Sequence, residues 1–285
     1  MAIASREGFL LVDKPAGLSS HDVVAKVRRA RGGIRGGHTG TLDPFATGLL
    51  LVALGRATRL IRFVPSEPKV YQASILFGAA TDTDDATGNV VGEGPVPDRE
   101  TVLAAIPRLT GALEQVPPAY SARHVDGRRA YEVARTGHQP DLRPASVVVH
   151  AWDVEALGGP TLRATIACSS GTYVRALARD LGRLCGTAAH LAALRRTRIG
   201  PFDIRDAVLP DESMKAPLVS ATDALVGMAR QVVAGEDLAR LSQGRPVMAH
   251  EEGAHVALVD EAGALLAVGE RDGSWWQPRV VIPDD

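Results

Sequence analysis

The stretch Gly37-His38-Thr39-Gly40-Thr41-Leu42-Asp43-Pro44-Phe45-Ala46-Thr47-Gly48-Leu49-Leu50 places one carboxylate between a glycine-rich turn and an apolar run. Desolvating a charge at the border of a core costs several kcal/mol, about 2 or more, so such a group needs a partner or a task. Three readings of Asp43 stand side by side: a helix-capping carboxylate, an ion-pair partner, or a nucleophile or base. No histidine or second carboxylate sits nearby at helical spacing to form an acid–base pair. A reactive aspartate here would need a distant cation to hold it ionised. Arg175 is a candidate cation, because it follows Val174 at a strand-to-helix junction and precedes Ala176, although the same position equally suits a surface arginine of that helix.

The segment upstream is the most basic of the chain. Residues 1–65 hold ten Lys/Arg against four Asp/Glu, and no acid interrupts 23–42, although the whole 285-residue protein has a net charge of −1. A basic third on a nearly neutral protein points to a localised anionic partner. Further basic residues gather in 123–135 and in Arg195-Arg196-Thr197-Arg198. Hydrophobic content of 45% and charged content of 23% suit a soluble globular protein, while aromatics at 4% leave the core to aliphatic side chains.

Several classes are excluded on sequence alone. The N-terminus lacks a charged-then-apolar leader pattern, and no apolar run approaches the ~20 residues of a membrane span. A cytoplasmic protein without membrane contact is expected. Cys168 and Cys185 form no C-x-x-C pair, so they read as reduced thiols. The glycine-rich loop matches neither G-x-x-x-x-G-K-[ST] nor G-x-G-x-x-G, which argues against a nucleotide cofactor. Thr81-Asp82-Thr83-Asp84-Asp85-Ala86-Thr87-Gly88 has calcium-loop spacing but lacks the terminal glutamate.

Periodicity and turn signals predict a strand at Gly8–Asp13, a turn at Lys14–Gly17 and a helix from Ser19 or Ser20 to about Arg31. Arg56, Arg59 and Arg62, three apart, suggest a helix within 46–64. Strands are predicted at 70–78, 146–156 and 161–168, and helices at 99–110, after Arg175 to about Leu184, and near 188–195. Residues 117–146 read as a long basic irregular segment, a length that usually carries function. Strands and helices mix without strict alternation, so the fold class is α+β. The strand pattern lapses near 210–232, and β signals over 241–283 suggest a small second unit, with domains at 1–230 and 231–285.

Tyr71 and Tyr173 are either core aromatics with satisfied hydroxyls or a sandwich for a flat ligand. His38 is a solvated loop residue or one that lies against an anion beside backbone N–H groups.

Together these stretches resemble the TruB-type pseudouridine synthases. Leu11-Val12-Asp13-Lys14-Pro15-Ala16-Gly17-Leu18-Ser19-Ser20, Lys69-Val70-Tyr71, Pro118-Ala119-Tyr120-Ser121-Ala122 with Gly127, Gly171-Thr172-Tyr173-Val174-Arg175 and Leu194-Arg195-Arg196 agree with that family in order and spacing, over about residues 8–205. The resemblance implies a mainly antiparallel mixed sheet flanked by helices, an RNA-binding insert at about 117–146 and a PUA-like C-terminal domain. It implies isomerisation of uridine 55 in the T-loop of tRNA by base flipping, as a monomer, with no cofactor or metal.

By the same resemblance Asp43 is the essential aspartate, Arg175 its ion-pair partner and Tyr71 the stacking and proton-transfer residue. Tyr173 and Leu194 would line the base pocket, His38 would lie against the RNA, and Lys14 would buttress the site. The three basic clusters would meet phosphates of the T-arm. Residues 231–285 depart from an RNA-binding module, since they carry four Arg against ten acids. Two rival classes are a non-catalytic RNA-binding protein on the same scaffold and a glycosidase-like hydrolase; guide-RNA-dependent relatives usually carry longer tails.

Overall fold

The computed structural model describes residues 7–282, apart from 122, 126, 127, 137 and 139. Ala122 and Gly127 of the quoted stretches therefore lie outside the described residues.

The apolar run after Asp43 becomes the strand Thr47–Leu54, buried along nearly its whole length. A strand buried on both faces reads as continuous hydrophobics rather than alternation. It pairs antiparallel with Gly8–Lys14 and parallel with Ala189–Ile199. The main sheet runs in the order Gly8–Lys14, Thr47–Leu54, Ala189–Ile199, Lys69–Phe77, Thr161–Cys168, Ala145–Gly158, Gly111–Gln115, and the other neighbours along that path are antiparallel.

Ser19 caps the helix Ser20–Ala30 in a capping box with Asp22, and Val23, Val24 and Val27 face inward. They meet Leu10, Val12, Leu50 and Val52 on one face of the sheet. The helix Val174–Leu184 buries Val174, Leu177, Ala178 and Leu181 against Ile75, Ile166 and Leu191.

Two expectations fail in instructive ways. Residues near 188–195 form no helix: Ala189–Ile199 is a strand with neighbours on both sides. Its Ala, Leu and Arg residues favour helix locally, but pairing in mid-sheet outweighs an intrinsic preference of only about 0.7 kcal/mol per residue. Between 46 and 64 the chain is strand first, and Arg56, Arg59 and Arg62 fall in the 3-10 helix Gly55–Phe63. A spacing of three is the repeat of that helix, not of an α-helix. The helix expected at 99–110 is α over Arg99–Ala105 and 3-10 over Ile106–Leu109. The segment 117–146 holds the short hairpin strands His124–Val125 and Arg128–Arg129 and the helix Ala130–Arg135.

A second sheet pairs Ala229–Val232, His255–Val259, Leu265–Asp272, Trp275–Val281 and Val247–Met248 in that order. Its first strand crosses the 230/231 boundary read from sequence, where the strand signal lapsed. Trp276 is fully buried in this sheet's core and donates through Nε1 to Gln231 Oε1 at 2.9 Å, whereas Trp275 is exposed. Ala257, Val259, Val268 and Val280 also join Leu49, Leu51, Leu60 and Ile199 of the main unit in one apolar cluster. Among the described residues, no helix is long and apolar enough to cross a membrane.

Candidate active site

The loop carrying Asp43 is pinned from three directions. Ser20 Oγ accepts from Leu42 N at 2.9 Å and donates to Leu42 O at 3.1 Å. Lys14, fully buried, donates through Nζ to the carbonyls of Leu18, Pro15 and Pro44 at 2.7, 3.0 and 3.3 Å. Gly17 N adds a second bond to Pro44 O at 2.8 Å. From the far side Arg196, 1% exposed, donates to the carbonyls of Leu49, Gly40 and Thr41. A buried guanidinium satisfied by backbone carbonyls acts as a staple.

Gly48 completes the staple. Its φ is +108°, and a Cβ there would lie 2.2 Å from Arg196 O. Gly48→Ala is accordingly expected to cost about 3–5 kcal/mol, adding backbone strain to steric displacement of a central strand. Urea denaturation measures this; a midpoint equal to that of the parent would refute it.

Asp43 projects from this fixed loop to Arg175. The Arg175 Nε lies 2.9 Å from Asp43 Oδ2, and Nη2 donates to Asp43 Oδ1 at 3.2 Å. The rest of the guanidinium is fixed by Thr83 O at 2.9 Å, Tyr120 O at 3.0 Å and the carboxylate of Asp85 at 3.4 Å. Asp85 is the residue sequence reasoning missed. It is 3% exposed and also accepts from Thr83 Oγ1, Thr87 N and Thr87 Oγ1. The acidic loop set aside as a failed calcium loop is therefore an arginine clamp: Asp85 meets Arg175 and Asp84 meets Arg179 at 3.0 Å. Arg175 and Arg179 are four apart on one helix face, and that spacing beside two consecutive aspartates was the available signal.

Asp43 and Arg175 share a cavity of about 270 Å³ with Tyr71, Tyr173, Leu194, Ser121, Lys69 and Arg196. That volume lies at the small end for ligand sites and suits one flat ring. Tyr71 is buried on the strand Lys69–Phe77, and Leu194 lies on the neighbouring strand. Gln115 fixes Tyr173 by accepting from its N–H at 2.8 Å and donating to its carbonyl at 3.1 Å. Lys14 and His38 are not among the residues lining this cavity. Lys14 lies beneath the Asp43 loop, and the His38 ring sits edge-on to His21 with centroids 5.6 Å apart.

Burial sets the protonation states. It raises the Asp43 carboxyl above the ordinary range; Arg175 opposes the shift and Asp85 adds to it. It raises the Tyr71 phenol too, against the pull of Arg196, so Tyr71 is protonated at neutral pH. Burial lowers Lys14 to about 8 and drives His38 down, so the His38 imidazole is neutral at pH 7. Cys168 is pushed up to about 11 by burial and is no nucleophile at neutral pH. If the ionised Asp43 is the reactive form, activity must fall as pH drops through its raised value. The acid limb of the single-turnover rate is expected above the value of about 3.9 for a free aspartate; a limb at or below it would contradict this.

The basic clusters divide. Arg28, Arg29 and Arg35 are exposed beside the loop, while Arg31 donates to Ser213 O at 2.7 Å and to Ala216 O. The Arg195–Arg198 cluster also divides: Arg196 is buried, Arg195 half-buried and Arg198 exposed. Arg195 pairs with Asp13 at 2.7 Å and Arg196 is the buried staple, because these residues lie on a central strand rather than a helix end.

Residues 28–174 match the family model for the N-terminal domain of TruB family pseudouridylate synthases, and residues 175–223 match that for the tRNA pseudouridylate synthase B C-terminal domain. The tRNA pseudouridine synthase B of Gloeobacter violaceus is 44% identical over 97% of this chain and 99% of its own. That of Thermobifida fusca is 42% identical over 97% and 98%. Among solved structures, an H/ACA ribonucleoprotein bound to a substrate RNA containing 2′-deoxyuridine superposes with a TM-score of 0.74 at 22% identity. That superposition covers 98% of this chain and 86% of the other.

Proposed function

This chain belongs to the TruB family of pseudouridylate synthases and isomerises uridine to pseudouridine in tRNA; from that premise we propose that it acts on uridine 55 of the T-loop, with Asp43 as the reacting group. The observation that carries the reading is Asp43 held by Nε and Nη2 of the buried Arg175 at a cavity that Tyr71 also lines.

The target base must leave its stack to reach this cavity, at a cost of a few kcal/mol. Stacking on Tyr71 returns about 1–3 kcal/mol. Tyr173 and Leu194 close the base pocket, and neutral His38 beside His21 faces the RNA that the base has left. The N1–C1′ bond then breaks with its electron pair on the uracil. Asp43 either bonds to C1′ or takes the C2′ proton. The ring turns and C5 bonds to C1′ as the Asp43–C1′ bond breaks or, on the other route, as Asp43 returns its proton to C2′. The C5 proton then leaves, and the protonated Tyr71 phenol can relay it by giving up its own proton as it takes this one. N1 regains a proton, so the change is an isomerisation with no net oxidation.

Hydrolysis is disfavoured because glycosidases need a second working carboxylate. Asp85 is the carboxylate that shares Arg175, and its oxygens are engaged by Thr83, Thr87 and Arg175 outside the cavity lining.

The exposed Arg28, Arg29 and Arg35 are read as contacts to T-arm phosphates, together with the 117–146 insert. We read the chain up to about residue 228 as the catalytic unit and the part from Ala229 onward as a PUA-like unit, because the strand Ala229–Val232 belongs to the second sheet. We read the protein as acting as a monomer, and the substrate class supports a cytoplasmic location. Mass-shift mapping of pseudouridine in a tRNA transcript tests the reading. One mark at the T-loop uridine is expected; release of free uracil, or binding without modification, would overturn it.

A further inference from the structure

Two lysines are buried beside the Asp43 loop, and they differ in what they touch. An ammonium carries three donors. Lys14 spends all three on backbone carbonyls. Lys69 is 8% exposed, yet among the described residues its Nζ has one hydrogen-bond acceptor, Ser170 Oγ at 2.9 Å, and no carboxylate within 4 Å. A buried cation with unused donors carries a desolvation penalty that only a further acceptor relieves.

The unused donors border the active-site cavity, which Lys69 lines together with Tyr71 and Asp43. Gly40 forms the adjacent wall, and a Cβ there would stand 3.6 Å from Nζ. With φ at +125°, this position favours glycine and leaves the ammonium uncovered on that side. Lys69 and Tyr71 are two residues apart on one strand, so both side chains leave the same face, roughly 7 Å apart. The charged groups acting most on Asp43 are Arg175, Asp85 and Lys14; those acting on Lys69 are Arg196, Cys168 and Glu67. Asp43 is held by Arg175 and Lys69 Nζ by Ser170, so the two groups stand at separate ends of the cavity lining.

A uracil lying on Tyr71 with its sugar at Asp43 points its O4 edge to that far end. We propose that Lys69 donates a hydrogen bond to O4 of the extruded uracil and holds the negative charge that the ring acquires when the N1–C1′ bond breaks. The inference rests on the reading of Asp43 given above. The electron pair of the broken bond spreads over N1, O2 and O4, while C1′ gains the Asp43 oxygen or C2′ loses its proton to Asp43. No proton leaves Lys69. Its charge acts until C5 bonds to C1′, and a fixed donor in a water-poor cavity favours the transition state over the stacked ground state. A phosphate is the poorer candidate ligand, because Lys69 is nearly sealed from solvent.

The test is a cycle of Lys69→Met and a tRNA transcript with 4-thiouridine at the target, since sulfur is a weak acceptor. Single-turnover rates at saturating RNA are measured alongside RNA dissociation constants. Lys69→Met is expected to slow conversion by about 10²-fold with the dissociation constant within about twofold. The thio substrate is expected to slow the parent enzyme comparably and Lys69→Met no further. An unchanged rate, a loss confined to RNA affinity, or multiplying effects would each overturn the proposal. Should Lys69→Met fail to fold, full-rate conversion of the thio substrate by the parent enzyme would overturn it alone. An active Asp43→Asn would sink the underlying reading, whereas a fast Lys69→Met beside a dead Asp43→Asn would sink only this one.

Discussion

Arg175→Met is expected to lose activity by on the order of 10²–10³-fold and stability by about 3 kcal/mol. The Arg175 side chain is 4% exposed and lies between two carboxylates whose exposures differ, Asp43 at 35% and Asp85 at 5%. Without the guanidinium, Asp43 can gain water, but Asp85 is left as a buried charge beside a like charge. Asp85 keeps its bonds from Thr83 and Thr87, which places the stability loss at the lower end of the range for a broken buried pair. The carbonyls of Thr83 and Tyr120 also lose their donor.

The pH profile separates an electrostatic role from a merely structural one. Arg175 opposes the upward shift of Asp43, so removing it must raise the Asp43 value further and move the acid limb to higher pH. Arg175→Lys is expected to rescue little, since one ammonium cannot reproduce contacts at Nε, Nη1 and Nη2 together. Chemical denaturation and single-turnover rates across pH check these outcomes. A variant with parental stability and an unmoved acid limb would refute the role of Arg175.

The legibility of the site follows from which residues act locally. Asp43 stood out because a charge at the edge of the run Thr47–Leu54 has few neutral explanations. Ser19 was readable as a cap from its own neighbours, and the capping box with Asp22 is local. Asp85 was not readable, because its partner lies ninety positions away on the helix Val174–Leu184, and an acidic loop alone suggests calcium as readily as arginine. Arg196 was misplaced with its whole segment. Its role depends on a central strand whose residues prefer helix, and only pairing with Lys69–Phe77 and Thr47–Leu54 turns its side chain toward Gly40 and Leu49. Lys69 reads in the sequence merely as a neighbour of Tyr71; the residues beside its Nζ, Gly40 and Ser170, lie far apart along the chain.

The C-terminal unit makes a related point. Its excess of acids does not suggest RNA contact, yet its apolar residues enter one cluster with Leu49 and Leu51 of the strand that follows the Asp43 loop. Packing against the back of that strand gives the small sheet a stabilising part in the site's framework, independent of any contact with tRNA.

The central claim is that the Asp43 carboxylate performs the chemistry, and the most direct measurement is single-turnover pseudouridine formation by Asp43→Asn at saturating tRNA. Asparagine keeps the size of the side chain and can still meet Arg175 through its carbonyl oxygen, but it offers no carboxylate to C1′ or to the C2′ proton. Removing a nucleophile outright costs on the order of 10⁶-fold in well-studied hydrolases. The expected result is no detectable pseudouridine, with tRNA affinity and fold retained. Conversion within tenfold of the parent rate would contradict the account.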